Sequence, residues 1–68
     1  MKVRYSREVD ILLVWLSDEP FDYAEESDRI ITHFSAGGRP VLLEIQGARE
    51  FLLGALTSLV KGEEVKLP

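Results

Sequence analysis

The stretch Val9–Leu16 constrains this chain more than any other. Read with a period of two, Val9, Ile11, Leu13 and Trp15 fall on one side of a strand, and Asp10, Leu12, Val14 and Leu16 on the other. Both sides are largely apolar, which is the pattern of a strand inside a sheet and covered above and below. The chain has 68 residues, enough for one domain and a thin core. One helix covers one side of a sheet, so the other cover has to come from a second chain. Domains this small ordinarily rely on disulfides, a metal or a partner. With no cysteine and one histidine, disulfides, thiolate sites and a zinc ligand set within one chain are excluded. Oligomerisation remains, and a homodimer is the expectation.

The rest of the chain supplies the sheet and its cover. Lys2–Ser6 alternates through Val3 and Tyr5 and reads as a first strand, followed by a turn at Ser6-Arg7-Glu8. The second strand, 9–16, stops at Ser17-Asp18-Glu19-Pro20. A third, 21–26, alternates Phe21, Tyr23 and Glu25 with Asp22, Ala24 and Glu26. A fourth, 29–35, sets Ile30, Thr32 and Phe34 against Ile31, His33 and Ser35. Adjacent Gly37 and Gly38 supply the positive φ angles of a tight hairpin. Pro40 then opens a fifth strand, 40–45.

After Gln46 the period changes. Ala48, Phe51, Leu52, Ala55, Leu56, Leu59 and Val60 form one stripe of a helix over 48–61, with Gly47 as N-cap and Gly62 past its end. That stripe is expected in the intrachain core. Leu53 lies off it and is assigned to contact with another chain. The tail 63–68 holds Val65 and Leu67 at strand spacing. The reading is one α+β domain over 1–68: an antiparallel β-meander of four to five strands, with a C-terminal amphipathic helix packed on one face.

Several features of this order resemble the small prokaryotic domain of unknown function 2283, from the N-terminus to about Ala48. They are Lys2-Val3-Arg4-Tyr5, the strand Asp10-Ile11-Leu12-Leu13-Val14-Trp15-Leu16-Ser17, the pairs Glu25-Glu26 and Ile30-Ile31, then Gly38-Arg39, Glu44-Ile45 and Ala48. The family usually has an aromatic residue where Leu13 sits, often glycine where Leu42 sits, and a more polar residue where Trp15 sits. The resemblance implies a compact β-meander plus helix, dimeric, with no established activity. Some members look like partners of small toxin-like proteins in paired genes.

Charge narrows the function classes. The formal net charge is −4, with 8 basic and 12 acidic residues. Asp18, Glu19, Asp22, Glu25, Glu26 and Asp28 stand close together with no base among them. A solvated edge protected from aggregation by its charge is the plain reading, and a docking surface for a basic protein is the functional one. The glycine-pivoted spacing of a calcium loop is missing. An acidic chain without a basic run is repelled by phosphate, and no base-reading or phosphate-cradling motif occurs, so nucleic acid is not an expected partner.

The remaining candidates are polar groups within strands. Glu44 sits between Leu43 and Ile45. It is a general base if buried, and otherwise an ion-pair partner for Arg4, Arg29 or Arg39, or a solvent-facing group. His33 and Ser35 share a strand side and read as a solvent-facing polar pair rather than a base and nucleophile. Asp10 reads as a cap or pairing group at the strand entrance. Val9, Ile11, Leu13 and Trp15 are either core or a self-association face; in the second case Ile11, Leu13 and Trp15, with Leu53, are the candidate dimer interface, Trp15 being the kind of residue that anchors one.

The longest apolar run, Ile11–Leu16, is too short for a signal peptide or a membrane span, and the absence of cysteine fits a reducing cytoplasm. The expectation is a cytoplasmic, homodimeric interaction module without cofactor or metal, antitoxin-like in holding a basic partner. The alternatives are a small-molecule binder or enzyme with His33 and Glu44 in a site between subunits, and a structural assembly module.

Overall fold

Turn chemistry and alternation build the sheet strand by strand. The computed structural model describes residues 1–68 as β1 (Lys2–Ser6), β2 (Ile11–Trp15), β3 (Tyr23–Ser27), β4 (Ile30–Phe34), β5 (Pro40–Gln46) and α1 (Ala48–Val60). All strand pairs are antiparallel. The two-residue link between β3 and β4 puts Asp28 in the left-handed region at φ 55°, which aspartate tolerates better than most residues. Of the adjacent glycines, Gly38 alone takes a positive φ, 80°.

The α+β class and the C-terminal helix are as the sequence reads. The strand order, β1-β2-β5-β4-β3, is not that of a simple meander: β5 inserts between β2 and β4. Composition explains this placement. β5 supplies Val41, Leu42 and Ile45, three of the five buried residues of the chain, the others being Ser35 and Ala48. Burial therefore favours β5 at the centre. β3, carrying Glu25 and Glu26, goes to an edge, where charge blocks unwanted pairing. β2 is internal, as its two apolar sides require. It is shorter than the sequence suggests, because Val9 lies in the turn, 62% exposed, and Leu16 lies beyond the strand.

The sheet is a single layer. Every residue of β2 and β4 is only half-buried, on both faces. The helix meets the sheet chiefly along β2. Its apolar stripe is therefore not the intrachain core that the sequence suggests. Ala48 is buried and Phe51, Leu52 and Ala55 are half-buried, but Leu56, Leu59 and Val60 are exposed. The molecule measures 39 × 27 × 22 Å with a radius of gyration of 13.0 Å, against about 11 Å for a compact chain of this length. The tail after Gly62 forms no strand.

Asp10 fixes where the helix starts. It occupies a left-handed turn position at φ 55°. Its carboxylate accepts a hydrogen bond from the Tyr5 hydroxyl at 2.6 Å and another from the Arg49 N–H at 2.8 Å. Its carbonyl accepts from the Ala48 N–H at 3.1 Å. Gly47, left-handed at φ 62°, turns the chain out of β5 but offers no side-chain cap. Asp10 thus caps α1 from a distant turn, satisfying N–H groups that a helix start leaves open. The Tyr5 hydroxyl first, and then the Arg49 N–H, hold the Asp10 carboxyl below its ordinary range, while Asp10 pushes the Tyr5 hydroxyl up.

Two measurements check this architecture. Ile45→Ala, at the sheet centre, should cost about 2–5 kcal/mol in urea unfolding, a large share of the roughly 3–10 kcal/mol available to 68 residues. Val9→Ala, in the turn, should stay within about 0.5 kcal/mol. The Asp10 contribution is fully present above the unfolded carboxyl value near 4 and is lost as pH falls through the lower folded value. Asp10→Asn keeps an acceptor for the cap but should flatten the acid limb of the melting-temperature profile. An unaltered limb would show that Asp10 does not govern it.

Candidate functional site

Strand order sorts charge to opposite ends of the sheet. β3, one edge, carries Glu25 and Glu26, with Asp22 before it and Asp28 in the turn after it. All five residues of β3 are exposed. β1, the other edge, carries Lys2 and Arg4, and Arg7 follows in the adjoining turn. Of the six clustered acids, Glu19 stands apart. The Arg39 guanidinium grips its carboxylate, Nε reaching both oxygens at 3.1 Å and Nη2 bonding Oε1. That grip holds the Glu19 carboxyl below its ordinary range. Asp18, Asp22, Glu25, Glu26 and Asp28 make no ion pair, so five carboxylates remain free toward solvent.

His33 and Glu44 come together on β4 and β5. In the register His33 lies opposite Leu42, and Glu44 opposite Ile31, so the two project diagonally from one face. The His33 Nε2–H donates to Glu44 Oε1 at 2.6 Å, and both side chains are about one-quarter exposed. Phe21 stacks on the imidazole with ring centroids 4.8 Å apart. His33 is thus neither solvent-facing nor paired with Ser35. Ser35 is buried outside β4, and its hydroxyl accepts from the Arg39 N–H at 3.3 Å, closing the hairpin. Glu44 finds the histidine rather than any of the three arginines. Nothing in the local sequence marks this pair, because it depends on which strand lies beside which.

Ile11, Leu13 and Trp15 share a face of β2, all half-buried. Leu13 lies opposite Arg4 and Glu44, and the Lys2 ammonium sits 4.5 Å from the centre of the Trp15 ring, a cation–π contact. Beside Trp15 an open depression of about 500 Å³ is bounded by Lys2, Asp18, Glu19, Phe21 and Val41. Neither His33 nor Glu44 lines it. Leu53, on the helix, is 62% exposed. No group of three or more metal-ligating side chains converges, every buried side-chain polar atom has a partner, and no helix is long and apolar enough to cross a membrane.

The family model described as "Protein of unknown function (DUF2283)" matches residues 2–49, all five strands and the first residues of α1. No curated protein and no solved structure matches the chain.

The Glu19–Arg39 contact is directly testable. Arg39→Gln should move the Glu19 carboxyl titration, followed by carbon NMR, upward toward the ordinary carboxylate range. An unmoved titration would mean that the guanidinium does not hold Glu19 in solution.

Proposed function

The chain belongs to the DUF2283 family of proteins of unknown function, and we propose that it is a protein–protein interaction module. It works as a homodimer in the cytoplasm, and its acidic edge receives a basic protein, in the manner of an antitoxin occluding its partner. The observation that carries this reading is the separation of charge. Four unpaired carboxylates, Asp22, Glu25, Glu26 and Asp28, gather around β3 while the basic residues Lys2, Arg4 and Arg7 gather at the opposite edge. Such a field steers a basic surface toward one end of the molecule and orients it on arrival. An exposed edge strand also offers unpaired backbone groups that an incoming strand can engage. Binding therefore needs no chemistry, only occlusion.

The His33–Glu44 pair supports a second reading, a polar small-molecule site completed by another subunit. The pair is partly exposed on a sheet face with an aromatic ring beside it.

Affinity purification of the tagged chain from its host at low salt tests the first reading. A stoichiometric basic protein should be retained and then lost as salt rises, because exposed charges are screened over about 10 Å at 0.1 M. Each exposed ion pair contributes about 0.2–1 kcal/mol. Reversing two charges in Asp22→Lys/Glu26→Lys should therefore weaken capture on the order of tenfold. Equal capture by the double variant would remove the acidic edge from the function.

A further inference from the structure

Seen down its axis at 100° per residue, α1 has two apolar sides. Ala48, Phe51, Leu52, Ala55 and Ser58 form the side that is buried or half-buried. Leu53, Leu56 and Val60 form the other and are 61–86% exposed, while Leu59 falls between Ala48 and Leu52 on the first side but is itself 61% exposed in the last turn. From Phe51 round to Leu53 the apolar arc spans about 200°, where a helix with a single contact shows a stripe of about 100°. The outer residues recur at 53, 56 and 60, the alternating three-and-four spacing of a helix-pair seam.

We infer that this outer stripe is covered by the same stripe of a second copy, in a two-fold antiparallel helix pair centred near Leu56. The inference deepens the dimeric part of the reading above and uses none of the acidic-edge residues, so the two can fail separately.

Area and charge both point to this occupant. The chain exposes 5100 Å², whereas a folded monomer of its 7.7 kDa mass exposes about 4,300 Å². The excess, about 800 Å², is what each partner contributes to a standard stable interface. Between Leu53 and Val60 the stripe carries no charge, and the charges at its two ends, Arg49 among them, choose the orientation. Arg49 and Glu50 stand at the start of α1. Lys61 and Glu63 stand at its end, where the Glu63 N–H still bonds the Ser58 carbonyl at 2.8 Å. Antiparallel pairing about Leu56 brings Arg49 to Glu63 of the second copy and Glu50 to its Lys61. Parallel pairing would set Arg49 on Arg49 and Lys61 on Lys61.

Light scattering of the full chain should give twice the 7.7 kDa mass, and Leu56→Glu should weaken the dimer at least about 100-fold while circular dichroism still shows the sheet. A wild-type chain that stays monomeric up to about 1 mM overturns the inference. Engineered cysteines report the geometry even if Leu56→Glu fails to fold, because the chain has no cysteine of its own. Under mild oxidation Leu56→Cys should form a covalent dimer, and so should a mixture of Arg49→Cys and Glu63→Cys chains. Absence of the Leu56→Cys cross-link, or efficient self-cross-linking of Arg49→Cys alone, sinks the antiparallel pair. The Leu56→Cys cross-link should persist unchanged in a Glu25→Lys/Glu26→Lys background. If it does while basic-partner capture is lost, the dimer and the acidic edge are separate surfaces, as inferred.

Discussion

Five strands share one layer with no complete second layer against either face, and the rest of the molecule follows from that. An apolar sheet face gains stability only when another element excludes water from it. Here Val41, Leu42 and Ile45 are sheltered because β5 is the middle strand, two strands from either edge. β2 and β4 are left half-wet above and below. The apolar sequence of β2 is thus written for more cover than one chain provides. The helix does not make up the shortfall. It starts where β5 ends, runs along β2, and carries its outer leucines away from the sheet.

Asp10 holds that arrangement in place. One side chain in the β1–β2 turn ties β1 through Tyr5 to the start of α1 through Arg49, so the helix direction is set by a contact across 39 residues of sequence. A local cap at Gly47 would have left α1 free to swing about a glycine. The remote cap instead couples it to the same hairpin that forms one edge of the sheet. This link also explains why the sheet register matters to the helix. A one-residue slip between β2 and β5 would move Asp10 away from Arg49 and reverse the faces of β5.

Much of the fold is legible in local pattern, and the remainder depends on neighbours that local pattern does not name. The two-sided apolar period of β2 announces an internal strand, and the shift to three-and-four spacing after Gln46 announces the helix. Asp10 is recognisable as a capping group, but its target lies in another element. His33 and Glu44 meet only because β5 lies beside β4 in a particular register, and Ser35 leaves His33 because the hairpin draws it inward. The acidic cluster is plain in the sequence. Its opposition to Lys2, Arg4 and Arg7 appears only once β1 and β3 are known to be the two edges. Even the width of the apolar arc on α1 is present in the sequence. Assigning all of it to one intrachain contact overlooks that a single sheet cannot reach around more than half of a helix.

These separate features fit one design. Edge strands invite pairing, and here the edges carry opposite charge, so two acidic edges repel while a basic strand is drawn to β3. A dimer built through α1 uses neither edge. It closes on itself by a two-fold axis rather than extending the sheet from copy to copy, and it leaves both acidic edges open at once. A partner with two basic surfaces would then meet two sites on one body, where linkage raises the effective concentration of the second contact to the millimolar range. Individually weak, screened ion pairs become sufficient for occlusion in that setting. A small sheet with little core of its own can thereby serve as a binding module.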